Sequence, residues 1–206
     1  MISNAMHRRT ALRATLAAAL IAGLAACAGA PGAGDWETLV DGSRPEPLAQ
    51  RWTELGEGHW RYADGALEGR DGKGGFLVTK QGYGDFTLRA EFWTDEPANS
   101  GLFLRAQDPA KVSADSAYEV NIFDKRPDPS YGTGAIVGVA KVAQPGPRAA
   151  GRWNTFEITA RGDRLTVLLN GQQTVDATDG RHRSGPLALQ SAGGVIRFRK
   201  VEIRAL

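Results

Sequence analysis

The sequence predicts an all-β protein, a two-sheet antiparallel sandwich of jelly-roll type, on three observations. Apolar residues recur at every second position in short runs, the signature of strands that bury one face. Turn residues break these runs at intervals of about ten, the spacing of hairpin-rich sandwiches. Glycine is abundant, at 26 of 206 residues, and no stretch beyond the N-terminal segment carries a helical period.

The N-terminal segment reads as an address. His7-Arg8-Arg9 and Arg13 make a basic start, and Leu16 to Ala26 is an apolar run too short to span a bilayer. Leu24-Ala25-Ala26-Cys27 closes it as a lipobox: small residues precede a cysteine that would become the acylated first residue. Cys27 is the only cysteine of the chain, so no disulfide framework competes for it. The expected organisation is a lipoprotein signal peptide (1–26), a flexible tether (27–35) rich in Ala, Gly and Pro, and one domain (36–206). Such a chain is expected at the bacterial cell envelope, lipid-anchored and facing the periplasm or the exterior. Arg8-Arg9-Thr10-Ala11-Leu12-Arg13 resembles a twin-arginine export signal, with Ala11 where that motif prefers Phe. Basic starts are common to all export signals, so both routes stay open.

Without residues 1–26, 180 residues remain, enough for a substantial core. The segment removes Arg8, Arg9 and Arg13, leaving 22 basic against 23 acidic residues, a net charge of −1. The sequence pI of 8.8 thus belongs partly to the signal, and nucleic-acid binding gains no support.

Within the domain, Asp85 to Trp93 places Phe86, Leu88, Ala90 and Phe92 on one side and Thr87, Arg89, Glu91 and Trp93 on the other. Tyr118 to Ile122 alternates likewise, pointing Glu119 and Asn121 away from the core. A Pro-, Asp-, Ser- and Gly-rich loop follows, leading into Gly134 to Val137, which reads as another strand. Arg152 to Arg161 sets Phe156 and Ile158 inward. Asp163 to Asn170 does the same with Leu165, Val167 and Leu169, and Asn170-Gly171 is a hairpin signal returning into Gln172 to Ala177. Pro186 to Ser191 and Val195 to Arg204 are the last strands. Apolar positions 196 and 198 fall out of phase with 201 and 203, predicting a bulge near Arg199-Lys200. Asn99-Ser100-Gly101 is expected to turn.

Eight pieces in order carry a resemblance to a known family: Tyr83 to Leu88 (YGDFTL), Asn99 to Arg105 (NSGLFLR), Tyr118 to Asp124 (YEVNIFD), Gly134 to Ile136, Trp153-Asn154, Asn170-Gly171, Leu189-Gln190 and Phe198-Arg199. Together they resemble the 3-keto-disaccharide hydrolase domain family from about Trp36 to Leu206. The resemblance implies a concanavalin A-like jelly roll, frequent export or lipid anchoring, and action on glycosides oxidised to a ketone at carbon 3.

Such a ketone acidifies the carbon 2 proton, so a placed carboxylate can remove it as general base, and a cation or hydrogen-bond donors can hold the enolate. Carried over by position, the resemblance makes Glu119 the candidate base and Arg105 the partner of the ketone oxygen. Asn121, Asp124 and Gln190 would orient sugar hydroxyls; read from the residues themselves, Tyr131 is a candidate for the groove edge, and Trp93 and Trp153 are candidate planes for stacking a sugar ring. Structural alternatives stay open beside these: a cross-strand Glu119–Arg105 pair, an Asp124 loop cap on the amides of 125–128, a Tyr131 loop anchor, and core positions for Trp93 and Trp153. The chain departs from the family at three places. Ala192 stands where many members have a histidine, Lys200 where Asn is usual, and Asn121 where Gln is usual.

His59 and His182 lack ligand spacing, so no metal-binding residues are singled out; no cofactor is evident, and a divalent cation on the Asp-rich loop stays open. No phosphate-binding Gly-rich loop and no G-x-S-x-G elbow occurs. The expected partners are a carbohydrate and, through the lipid, a membrane. Two functions remain in view: cleavage of 3-keto-glycosides, and non-catalytic glycan binding on the same fold.

Overall fold

The computed structural model describes Met1 and residues 34–70 and 73–206, so the predicted signal peptide, Cys27 and nearly all of the tether lie outside the described residues. In chain order the strands are β1 (Glu37–Asp41), β2 (Trp52–Gly56), β3 (His59–Ala63), β4 (Ala66–Arg70), β5 (Gly75–Tyr83), β6 (Phe86–Thr94), β7 (Ser100–Leu104), β8 (Tyr118–Ile122), β9 (Trp153–Arg161), β10 (Arg164–Leu169), β11 (Gln172–Thr178), β12 (Gly185–Ser191) and β13 (Val195–Ala205). Two single 3₁₀ turns, Leu48–Gln50 and Pro129–Tyr131, complete the regular structure of the described residues.

These strands form two antiparallel sheets, as the alternation demands. One has eight strands in the order β11-β10-β9-β6-β13-β4-β3, with β1 also on β13; the other has five, β2-β5-β12-β7-β8. The inward positions of β6 meet Phe156 and Ile158 of β9, Leu102 and Leu104 of β7, Tyr118 and Val120 of β8, and Leu187 and Leu189 of β12 in one core. Phe92 and Phe156 stack at 4.9 Å between centroids, both fully buried. Truncating either to Ala costs about 3–5 kcal/mol, because the hole cannot close.

The local signals in β10–β11 and β13 appear where expected. Asn170 (φ 53°) and Gly171 (φ 80°) both take the left-handed conformation that a two-residue hairpin turn requires. The register of β13 on β6 shifts between Phe198 and Lys200, which returns Val201 and Ile203 to the core. Two expectations fail. Ser100 and Gly101 belong to β7 rather than a turn. Gly134 to Val137 is not a strand: Ile136 makes only isolated bridges, to Val120 and Ala140. Gly134 (φ 89°) and Gly138 (φ 70°) bend the chain on either side, so the segment cannot stay extended.

That bent segment still does a strand's work at one edge. Asn121 N donates to Ala135 O (3.0 Å), Gly134 N to Asn121 O (2.9 Å) and Val137 N to Glu119 O (3.0 Å). These three bonds close the free edge of β8 at Glu119 and Asn121.

Candidate functional site

Strand alternation sends Tyr118, Val120 and Ile122 into the core and Glu119 and Asn121 to the outer face of the five-stranded sheet. Register places Glu119 opposite Phe103 and Asn121 opposite Gly101, while Phe103 lies opposite Ala188 and Gln190 opposite Phe76. A second apolar cluster covers this face: Val78, Phe103, Ala106, Val112, Ala117 and Ala188, with Leu55 and Phe76 at its margin. Ala106, Val112 and Ala117 come from the segment that links β7 to β8, which folds back over the sheet.

Glu119 is thus a carboxylate in apolar company, only 7% exposed, and no hydrogen bond or ion pair to it occurs among the described residues. Burial pushes its pKa up, and the field of the Arg126 guanidinium partly opposes the shift. Gly101 supplies the room beside it. A Cβ there would lie 3.4 Å from Glu119 Cγ and 3.1 Å from Val120 O, so only glycine leaves the stem of the Glu119 side chain uncrowded. Two acceptors on the same face are buried without a partner, Asn121 Oδ1 and Gln190 Oε1. Buried polar groups are almost always satisfied, so these oxygens call for a polar partner, water or a ligand hydroxyl. A base held in its hungry state and acceptors for hydroxyl protons are what proton abstraction from a sugar needs.

The structure brings Glu119, Asn121 and Gln190 to one face, and does not bring the other sequence-predicted residues there. Arg105 follows β7 with φ 55°, a left-handed turn that takes its side chain out of the strand's alternation. It is fully buried, and donates through Nε to Gly84 O (2.9 Å), Nη1 to Gly162 O (2.7 Å) and His182 O (3.1 Å), and Nη2 to Asp85 Oδ1 (3.0 Å). It neither shares the outer face with Glu119 nor pairs with it. Asp124 is a clasp: it accepts from Thr133 Oγ1 (2.6 Å), Ala149 N (2.9 Å) and Ala150 N (3.0 Å), amides further along than the expected 125–128. Tyr131 anchors the loop by accepting from Asn121 Nδ2 (2.6 Å) through its backbone, and Lys141 sits over its ring. The same bond ties Asn121 to the loop with one end of its amide. Trp93 lies on β6 in the other sheet, facing outward under Arg197. With Asp124 and Arg148 it lines a separate surface cleft of about 440 Å³ that Glu119 does not line.

Arg126 is the residue the sequence reading passed over. Its guanidinium makes no hydrogen bond or ion pair among the described residues, and it is the cation whose field reaches Glu119. The signal was present in Asp124-Lys125-Arg126, two residues beyond β8, but Arg105 sat in the family motif and took the role. Among the described residues no group of three or more His, Cys, Asp or Glu side chains is placed to hold a metal ion.

Comparison with known proteins supports the fold and names a family. A comparison with curated proteins finds no match. Among solved structures, a "putative glycosyl hydrolase" from Parabacteroides distasonis ATCC 8503 is 23% identical, covering 84% of this chain and all of the other at a TM-score of 0.63. The carbohydrate binding module CBM66 from Bacillus subtilis is 20% identical, with 75% and 95% covered and a TM-score of 0.61. Porphyranase B from Zobellia galactanivorans is 12% identical, with 83% and 93% covered and a TM-score of 0.55. At these identities the likeness shows the sandwich fold. The family model of the 3-keto-alpha-glucoside-1,2-lyase-like domain, that of the 3-keto-disaccharide hydrolases, matches residues 35–204, all but the last two residues of the domain, and the chain belongs to that family.

Proposed function

We propose that the domain cleaves glycosides whose sugar carries a ketone at carbon 3, with Glu119 as the general base. The observation that carries this reading is the buried, unpaired Glu119 carboxylate on the outer face of the five-stranded sheet. Family membership supports that substrate class.

Glu119 takes the proton from carbon 2, and the electron pair of that C–H bond moves to give an enolate with its charge on the carbon 3 oxygen. Arg126 is the cation available to stabilise that oxygen. Collapse of the enolate restores the ketone, forms the carbon 1–carbon 2 double bond and expels the carbon 1 oxygen with its bonding pair. The leaving oxygen takes up a proton, for which protonated Glu119 is the nearest source. Water can then add across the double bond. No second carboxylate is required, in contrast to ordinary glycosidases. Gln190 Oε1 and Asn121 Oδ1 accept from sugar hydroxyls, and Phe76 and Phe103, edge-to-face at 5.2 Å, give the ring an apolar floor.

One feature favours glycan binding without turnover: Ala192 occupies the place of a histidine common in the family. The test is product detection by mass spectrometry after incubating the purified protein with a panel of 3-keto-disaccharides. Turnover lost in Glu119→Gln supports the base; binding of the panel by both proteins without product supports the binding module. The sequence of residues 1–27 supports an exported, lipid-anchored protein at the cell envelope.

A further inference from the structure

We propose that the outer face of the eight-stranded sheet, on the far side of the sandwich from Glu119, binds an anionic polysaccharide, one carrying carboxylate or sulfate groups. Pairing register draws a straight row across five adjacent strands: Trp153 of β9 lies opposite Trp93 of β6, Trp93 opposite Arg197 of β13, Arg197 opposite Glu68 of β4, and Glu68 opposite Arg61 of β3. Four strand spacings make this row about 19 Å long, room for several sugar rings.

The guanidinium groups of the row are held from within. Glu68 has a side chain 1% exposed, and it accepts from Arg61 Nη2 (3.1 Å) and Arg70 Nε (2.8 Å) through Oε1 and from Arg197 Nε (2.8 Å) through Oε2. The cations hold its pKa at about 2, so it stays ionised throughout the ordinary pH range. Arg197 lies 5.1 Å over the Trp93 ring, and the only hydrogen bond of its guanidinium among the described residues uses Nε. Arg199 repeats the design: Nε donates to Glu91, and the guanidinium lies 4.7 Å over Trp153. In both, a glutamate fixes the inner edge, an indole supports the plane, and the outer Nη fork is left for a ligand. That fork matches the two oxygens of a carboxylate or sulfate.

Charge selects the ligand. Glu68 and Glu91 face Arg61, Arg197 and Arg199, so cations outnumber anions on the row in a domain whose net charge is −1 without its signal. Trp153, 38% exposed, adds a plane on which a sugar ring can stack, which points to a polysaccharide rather than a bare anion.

The test uses native gels cast with alginate, chondroitin sulfate or neutral dextran. The purified protein should be retarded by the two polyanions and not by dextran, with retardation weakening as salt rises. The double variant Trp153→Ala, Arg199→Gln changes only solvent-facing side chains, so it should fold as wild type by circular dichroism. Its affinity for the polyanions should fall at least about tenfold, the loss expected for one charge-assisted contact. Glu119→Gln should bind them as wild type does, which separates this surface from the proposed catalytic one. Three results overturn the proposal: no retardation by either polyanion, equal retardation of the double variant, or binding confined to vesicles of anionic phospholipid.

Discussion

Replacing Arg105 with Met tests whether this residue belongs to the chemistry or to the scaffold. The guanidinium is fully buried and joins three turns: Gly84 and Asp85 between β5 and β6, Gly162 between β9 and β10, and His182 ahead of β12. Methionine fills much of the volume and donates nothing, so three carbonyls and a carboxylate lose a charged donor together. Breaking a buried charged network of this kind costs about 3–5 kcal/mol, and for a domain of this size each kcal/mol lowers Tm by about 2–4 °C. The expected fall is therefore about 6–20 °C, read from thermal unfolding by circular dichroism. Arg105→Lys should fare little better, because one ammonium cannot reach acceptors on three turns. Turnover of the folded protein well below both transitions should survive. A Tm within about 2 °C of wild type, with turnover gone, would refute the reasoning and return Arg105 to the active site.

Three more outcomes follow from the same structure. Burial raises the pKa of Glu119 above its ordinary 4.5, so the folded state holds the proton more tightly than the unfolded chain and stability falls as pH rises through the raised value. Glu119→Gln should accordingly be more stable than wild type at pH 7, with the gain vanishing below pH 4.5 in urea titrations. Glu68 has the opposite sign: held at about 2 instead of 4.5, it contributes stability that is complete above pH 4.5 and lost as pH falls towards 2. The shift corresponds to about 3 kcal/mol, and screening of its solvent-facing arginine partners reduces this to roughly 1–2 kcal/mol, the loss expected for Glu68→Gln at neutral pH. Gly101→Ala should fold with a loss of about 1–3 kcal/mol, while its Cβ, 3.4 Å from Glu119 Cγ, crowds the Glu119 side chain and lowers kcat/KM on any substrate Glu119 serves.

The fold was legible because its signals are local. Alternation in β6, β9 and β10 assigns the buried face residue by residue, and the phase break in β13 locates its bulge without any partner strand. Residues 134–137 misled for the same reason: Ala135, Ile136 and Val137 have a strand's composition, and only the left-handed Gly134 and Gly138 prevent one. The site was legible in part. Alternation alone sends Glu119 and Asn121 to the outer face, but no local pattern says that the β7–β8 connection folds over it and makes Glu119 a buried acid. Arg105 was misplaced because a positive φ at a non-glycine residue has no sequence signature, and that single dihedral moves the side chain from the sheet face into the turns. The Trp–Arg row depends on proximity between distant strands, which composition does not encode.

The central claim is that a buried, unpaired carboxylate at position 119 takes a proton from carbon 2. Its most direct test is exchange: incubate the protein with a 3-keto-glycoside in deuterated water and follow the carbon 2 position by mass spectrometry and NMR. Abstraction by Glu119 predicts cleavage or deuterium at carbon 2 with wild type and neither with Glu119→Gln. A Glu119→Gln protein that cleaves or exchanges as fast as wild type would contradict it.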